Sequence, residues 1–594
     1  MRQEVGYGYT ETSSTVVTFD SAPADGDRLL FLVNPYTPQT TADANNVTYT
    51  HPYSGAVATN VGARLSQTVS VKDFGALGDG LTDDTASIQA AIDSASGEIH
   101  FPKGDYKITS ALIINNNFTT LRGEGVNSTR IYSYGSATDG ILIRKDDWGA
   151  GTGNFISQVT LSDFSLFKST ATPSACYGIR EILGSGTYIS NVSVFDFPYG
   201  ASKEGCVNTD ADRLRILCGT VNTNTVSGSY GLRLTSATLD DASIYVGFTH
   251  RFNQPFISSS NNFQDYGVLI EHTDVAHFVS GYIARQEVAA VYTSKRSGAS
   301  SGYAKAITFD SCYFDGVLTS EARDGIKLFN EASYEIRNFV FNNCVFGQYE
   351  TIVQCTHADT KNLVINGQVI NCNSQAIYLQ DVGQAFVDIT GYNLNTDSSG
   401  TATINCVAVD NIDIKVSVEN VNNTLVRING SIGSLCIRDI QIDSSFSGTK
   451  VDLSSASITK YINTGAAIDY TPSLTFGGGS TGLTYTSQIG TFSVCNGFVD
   501  FSVYVVLSAK GSSTGNIGIS LPRTPSGSPS KQVVQISVDA TTGTQTGQHM
   551  LGILSGGTNT IELRFGNGTG FTTMTDADVT DTTTFIITGR YRSN

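Results

Sequence analysis

The chain holds only three methionines, one tryptophan, seven histidines and twelve prolines in 594 residues. So few methionines and tryptophans argue against a Met-rich helical core. Charge is sparse as well. Asp, Glu, Lys and Arg make up 15% of the chain, and their balance is acidic, a net charge of −17. That shortage of Lys and Arg counts against a nucleic-acid partner, because phosphate binding needs basic patches. It counts equally against an anionic membrane surface. An acidic polysaccharide stays open, since a few local cations can line a groove on an acidic protein. No stretch approaches the length of a membrane span, and residues 1–8 put no apolar run behind their charge, so no membrane insertion and no secretory signal are expected. The ten cysteines include no CxxC pair and no zinc spacing with His, and are read as buried thiols. No metal constellation, no cofactor and no Gly-x-Ser-x-Gly elbow is expected.

What is abundant is glycine, 60 residues, with 40% hydrophobic residues and Ser, Thr and Asn throughout, which suits a β-rich chain with many turns. One stretch breaks that pattern. Residues 71–95, VKDFGALGDGLTDDTASIQAAIDSA, read as a short strand, a Gly-rich turn and one amphipathic helix. Ile88, Ala91, Ile92 and Ala95 fall at i, i+3, i+4 and i+7, a single apolar face. Thr82, Asp83 and Asp84 offer N-caps, and Gly97 sits just past the end. The turn is not a phosphate loop, because Gly80 is followed by Leu81-Thr82 where Lys-Ser/Thr is needed.

Followed by FPKGDYKIT at 101–109, this stretch resembles the opening of the right-handed parallel β-helix of pectate-lyase-like proteins. It is most similar to bacteriophage tailspikes and capsular polysaccharide depolymerases, where the helix caps the open end of the solenoid. The resemblance implies an all-β chain, a homotrimer, a place in the virion, and an N-terminal attachment to a phage tail or baseplate adaptor. Such a protein is made in the bacterial host cytoplasm and acts at the host cell surface. Lyases, hydrolases and non-enzymes share this fold, so the motif specifies architecture and leaves the reaction open.

Along the chain the expected organisation is a small β-rich N-terminal module at 1–66, a β-helix at 67–465 with its capping helix near 83–96, and a C-terminal β-sandwich at 466–594. The first module carries expected strands at 15–19 and 28–33. In the β-helix, Gly178, Gly231, Gly267 and Gly325 each open an alternating strand. Equivalent strands start at 351, 376 and 402, which lie 26, 25 and 26 residues apart from 325 onward. This is a solenoid period, in which each coil buries its apolar face only by stacking on the next. A second strand aligns Phe278, Phe309 and Phe341, with 239–244 as an earlier copy. In that register Cys312 stacks near Cys344, with Cys372 next, and Asn342, Asn343, Asn366, Asn371 and Asn373 fit internal polar ladders. Polar insertions are expected at 218–230, 247–266 and 293–303, where binding loops could ride on the scaffold. The last module shows strand-like runs at 498–507, 532–538, 560–565 and 584–591 with sandwich spacing. With residues 515–522, GNIGISLP, it resembles the C-terminal modules of phage tail proteins, and that resemblance implies a role in trimerisation or sugar binding.

Glycoside hydrolysis needs one carboxyl group to protonate the leaving oxygen and a second to activate water or attack the sugar. Coils stack about 4.8 Å apart, so carboxylates of one column face the same groove. Asp240 and Asp310 share a column in the expected register, and Glu271 and Asp274 lie on the coil between; these four are the candidate catalytic residues. A lyase would instead abstract a proton next to a uronate carboxylate, using a base and a cation. His250, Arg251, His272, His277, Tyr282, Arg285, Lys295 and Arg296 could serve it. The first expectation is an endo-acting depolymerase of a bacterial surface polysaccharide (capsule or O-antigen), hydrolytic in mechanism. Polysaccharide β-elimination and non-catalytic glycan binding are the alternatives.

Overall fold

In the computed structural model the described residues are 9–13, 16–19, 43–94, 97–146, 154–170, 172–219, 226–239, 243–245, 247–259, 264–297, 299, 301–316, 324–328, 334–356, 360–395, 401–442, 446, 448–463, 468–495, 498–526, 531–541, 550–555, 557–566 and 571–593. They divide into two compact units, Met1–Gln67 and Thr68–Asn594. In the first unit, Tyr9–Ser13 and Val16–Phe19 pair as an antiparallel hairpin. Thr48–Tyr49 pairs with Thr59–Asn60, and a short helix, Val61–Leu65, starts where the Asn60 side chain accepts the Ala63 N–H. The strand expected at 28–33 lies outside the described residues.

The second unit opens with the expected cap. Val71–Phe74 forms a 3-10 turn held by a Ser70–Asp73 capping box, and Gly75 ends it at φ +95°, a conformation that glycine adopts without a Cβ clash. The helix spans Thr85–Ser94 and buries Ile88, Ala91 and Ile92; Ala95 lies outside the described residues. Asp83 caps it by accepting the Thr85 N–H at 3.1 Å. Asp84 does something else. It is buried, and its two carboxylate oxygens accept the Leu77 and Gly78 N–H groups at 2.7 and 3.0 Å, fastening the Gly-rich turn to the helix.

Beyond the cap a single system of 36 strands winds through the unit, each strand pairing in parallel with its equivalent one coil on. Ile179, Ala201, Leu232, Val268, Val291, Ile326, Val353, Ile377 and Ile404 form one column, all buried. The Gly repeat is therefore a coil repeat, which also includes Gly200 before Ala201, and in which Ala290, Ile352, Ala376 and Thr403 take the glycine's place before Val291, Val353, Ile377 and Ile404. The glycines have a steric reason. A Cβ on Gly178, Gly200, Gly231 or Gly267 would lie 2.6, 2.5, 2.8 or 2.5 Å from a carbonyl of the following coil. A second column, Phe252, Phe278, Phe309 and Phe341, stacks its rings at 4.8, 4.4 and 5.2 Å. The alignment of Phe278, Phe309 and Phe341 is thus the true register.

Upstream of Phe278 the expected register is wrong. Ala237–Leu239 and Ser243–Tyr245 pair antiparallel as a hairpin off the coil, so 239–244 is no copy of the second strand. The copy is Phe248–Asn253, which puts Asn253 beside Val279. Residues 248–259 are accordingly scaffold, two strands of it, and not insertion. Cys344 pairs with Gly367, while Cys372 pairs with Tyr349. The nine cysteines whose side chains are described are all free thiols. Asn338, Asn343, Asn362, Asn371, Asn393 and Asn420 have φ between 51° and 59°. They turn the coil's corners in the left-handed conformation that Asn tolerates. Their side chains bond corner to corner, as in Asn362 to Asn338 at 2.8 Å and Asn393 to Asn371 at 3.0 Å; Asn338, Asn343, Asn362 and Asn420 are exposed and Asn371 and Asn393 half-buried, so these ladders lie at the rim instead of inside.

The last coils give way to a ten-stranded antiparallel sheet. Leu483–Cys495, Phe498–Lys510, Val579–Arg592 and Lys531–Thr541 are successive neighbours in it. Val499, Phe501, Val503, Val505 and Leu507 alternate inward and are buried.

A polar layer lies inside the solenoid. Glu181 and Lys203 occupy the inward column that continues as Leu234 and Ile270. Lys203 and the Thr187 hydroxyl both bond to the Glu181 carboxylate, and His250 Nδ1 bonds Thr209 Oγ1 at 2.7 Å. Burial, with the Lys203 charge adding to it, pushes the His250 imidazole down to about 3. The unfolded imidazole titrates near 6.5, so the unfolded state binds the extra proton between those values. Stability contributed by neutral His250 is then complete above about pH 6.5 and lost as pH falls toward 3. Replacing His250 by Leu should flatten the acid limb of the melting temperature plotted against pH. At the cap, Asp84→Ala should cost roughly 1.5–3 kcal/mol, because the Leu77 and Gly78 N–H groups lose a charged, buried acceptor; denaturant unfolding followed by circular dichroism measures it.

Candidate functional site

Strand His272–Thr273 lies between Gly247 of the coil before and Gly302–Asp310 of the coil after. Thr273 is anchored through its hydroxyl to the Gly247 carbonyl at 2.9 Å, and the Asp274 N–H bonds the same carbonyl. Alternation along Gly302–Asp310 turns Ala304 inward and leaves Tyr303 and Lys305 half-buried on the outer side. His272 pairs with Tyr303, which brings four side chains of chemical interest onto two adjacent coils.

The His272 and Tyr303 rings meet edge to face, centroids 4.2 Å apart. Neither nitrogen of the buried His272 ring has a hydrogen-bond partner among the described residues. A buried imidazole without a partner is costly unless something else is to be bound there. The Tyr303 hydroxyl points at Asp274 Oδ2 over a long 3.5 Å, and Lys305 Nζ lies 3.8 Å from the Tyr303 ring centre. Glu335, one coil on, takes Lys305 at 3.6 Å and also pairs with Arg337. Burial holds His272 below the ordinary imidazole range; Asp274 opposes this, while Lys305 and Arg296 reinforce it. Burial, then the Asp274 charge, pushes the Tyr303 phenol up to about 12. Near neutral pH the site therefore offers an imidazole free to accept a proton, a phenol that keeps one to give, and a cation beside them.

The four carboxylates expected from sequence part company. Asp274 is in this site. Glu271 is buried, and its Oε2 accepts Arg233 Nε and Nη2 at 2.9 and 2.6 Å. Asp310 lies on the coil of Tyr303 beyond the bend at Ala306, where Ser311 and Asn342 bond it. Asp240 lies outside the described residues, and Asn253 holds the place in the column that the expected register gave to it. Among the basic candidates, His272 is in the site and His250 is in the core. Arg251 and Arg285 are exposed and His277 is half-buried. Arg296 Nη1 donates to the Ser236 carbonyl at 2.5 Å. Tyr266 stacks on Tyr292 and Tyr282 on Tyr313, so the rings offer each other their faces. Tyr303, Lys305, Glu335 and Arg337 were missed. Aligning His272-Thr273-Asp274 with Tyr303-Ala304-Lys305 would have found the first two. Among the described residues no group of three or more His, Cys, Asp or Glu is placed to hold a metal ion, and no helix is long and apolar enough to cross a membrane.

Residues 68–283 match the family described as rhamnogalacturonase A/epimerase, pectate lyase-like. The chain carries a pectate-lyase-like right-handed β-helix. Its stacked coils are also those of a tailspike protein mutant of E. coli bacteriophage HK620 in complex with pentasaccharide, at a TM-score of 0.50 and 12% identity over 93% of this chain and 98% of that one. In sequence, 114 residues are 37% identical to mannuronan C5-epimerase AlgE4 of Azotobacter vinelandii, covering 18% of this chain and 16% of the epimerase. Another 73-residue match, 45% identical, is to alginate lyase 7 of the same organism, covering 10% of this chain and 8% of the lyase. The matched stretches are thus a small part of these curated relatives, and they relate the β-helix to carbohydrate-active proteins at the level of the superfamily.

Glu271 makes a stability prediction. Arg233→Ala should cost roughly 3–5 kcal/mol by stranding a buried carboxylate, while Glu271→Gln, which keeps an acceptor for Arg233, should cost clearly less in the same unfolding measurement.

Proposed function

We propose that the protein is a phage tailspike depolymerase that cleaves an acidic bacterial surface polysaccharide by β-elimination at His272, Tyr303, Asp274 and Lys305. The observation that carries this reading is the buried His272 ring, whose two nitrogens have no partner among the described residues, set against the Tyr303 phenol. His272 takes the proton next to the uronate carboxylate, and the electron pair moves to form the double bond as the glycosidic C–O bond breaks. Tyr303 gives its proton to the departing oxygen and is oriented by Asp274. Lys305 offsets the charge that develops on the carboxylate. The names of the matched epimerase and lyase, both acting on uronate polymers, support the same chemistry.

Hydrolysis is the second reading, and it has one observation in its favour: Asp274 and Glu335 lie on the coils either side of Tyr303. Incubation with capsular polysaccharides and O-antigens from a bacterial panel separates the two. Elimination leaves an unsaturated sugar that absorbs in the near ultraviolet, and hydrolysis does not. Released oligosaccharide without that absorbance would make the site hydrolytic. Adsorption to cells with no released oligosaccharide would make it a binding site only.

The remaining parts of the proposal follow from the tailspike resemblance. The chain assembles as a homotrimer in the virion, residues 1–66 attach it to the phage tail, and 466–594 fold as a sandwich that aids trimerisation or binds sugar. Size in solution tests the trimer. For the chemistry, His272→Gln and Tyr303→Phe should each lower turnover roughly a hundredfold or more, while Asp310→Asn should leave it near normal. With His272 held low and Tyr303 up at about 12, the acid limb of kcat should lie below pH 6.5, the ordinary imidazole value. No alkaline limb from Tyr303 should appear at ordinary working pH.

A further inference from the structure

The outer column that contains Asp274 runs on along the axis as a line of cations. Thr273 pairs with Ala304, so Asp274 abuts Lys305; Lys305 pairs with Arg337, and Arg337 with Lys361. Three successive coils thus place a cation at the same outward position, about 4.8 Å apart. Arg337 and Lys361 are exposed and Lys305 is partly so. Glu335 pairs with both Lys305 and Arg337, so one carboxylate serves two cations there. Like charges directly opposite one another on neighbouring strands are destabilising. On a chain with 36 Lys and Arg against 53 Asp and Glu, a run of three at one position stands out.

We propose that Lys305, Arg337 and Lys361 form an anion-binding rail that holds the negatively charged groups of an acidic polysaccharide along the solenoid axis, on the side of Asp274 toward the C-terminal coils. The proposal rests on the depolymerase reading and deepens it, because it assigns the residues that hold the substrate's charged groups beyond the site and the side of the site on which the chain lies. Sugar carboxylates, or acidic substituents of the sugars, would exchange along the rail with Glu335, whose contact with Lys305 is a loose 3.6 Å. The rail itself does no chemistry. Its residues position the chain, and the field of three cations draws a polyanion toward a protein that is acidic elsewhere.

The test is affinity electrophoresis of the full-length protein through gels containing alginate, polygalacturonate or neutral dextran. Retardation is expected in the two anionic gels and not in dextran, and added salt should weaken it. The double variant Arg337→Glu/Lys361→Glu, at two exposed sites, should keep the wild-type melting temperature and bind the anionic gels about tenfold more weakly. With a polysaccharide that the protein cleaves, the same variant should raise KM and leave kcat unchanged, which a purely structural role would not do. Equal retardation of wild type and variant, absence of retardation in both anionic gels, or equal retardation in dextran overturns the rail. Cleavage of a polysaccharide with an unaltered KM in the variant overturns the rail and leaves the depolymerase reading standing. Absence of cleavage alongside rail-dependent retardation overturns the depolymerase reading alone.

Discussion

Parallel stacking of coils is the constraint on which the rest of this protein depends. A single coil has no interior. Its inward Ile, Val, Leu and Phe residues are removed from water only when equivalent residues lie above and below, roughly 4.8 Å away. This explains the unbroken column from Ile179 to Ile404 and the stacked rings from Phe252 to Phe341. It also explains the glycines at 178, 200, 231 and 267, where a side chain would collide with the carbonyl of the following coil. At the N-terminal end there is no coil to stack on. The helix Thr85–Ser94 takes its place, with the Asp84 carboxylate holding the turn to the helix.

The same constraint arranges chemistry. Because every coil repeats the path of the last, a residue's outward column is fixed by register and not by sequence distance. His272 and Tyr303 are 31 residues apart and in ring contact. Lys305, Arg337 and Lys361 follow one another at 32 and 24 residues in sequence and form a line. Acid and base can also be sorted by place in the coil. Glu181 and Lys203 face the lumen and pair in a buried layer beside His250, while His272 is buried against the half-buried Tyr303 with its nitrogens unpartnered among the described residues. Both histidines are pushed down by burial, and of the two it is His272 that packs against the half-buried Tyr303 on the outer side.

Two chemistries fit a β-helix that belongs to the pectate-lyase-like kind, and the side chains favour one of them. Glu271 spends its charge on Arg233, and Asp310 lies at a corner beyond the Ala306 bend. Against that, an imidazole, a phenol and an ammonium group meet within one van der Waals neighbourhood. Carboxylates spread along a scaffold are what an acidic chain produces by chance. His272 differs from the other buried polar side chains, His250 included, in having both ring nitrogens without a partner among the described residues, which leaves its desolvation unoffset there.

Sequence by itself determined the architecture. The amphipathic stretch at 71–95 located the cap, the strands opened by Gly178, Gly231, Gly267 and Gly325 and the period that follows them located most of the coils, and Phe278, Phe309 and Phe341 were in true register. These are local or periodic signals, carried by i, i+4 spacing and by strands that repeat at near-constant length. It did not determine every coil between 199 and 325, although the strands opened by Gly231 and Gly267 were found there. There the connections vary in length, so 239–244, whose described ends Leu239 and Ser243 pair antiparallel off the solenoid, imitated the second strand that Phe248–Asn253 supplies. One wrong coil moved Asp240 into a column that belongs to Asn253. Only the tertiary structure decided which outward residues meet, since that depends on the number of residues in every corner and loop before them. Asp274 and His272 were visible in the sequence as single residues. Their partnership with Tyr303 and Lys305 exists only after the coils have stacked.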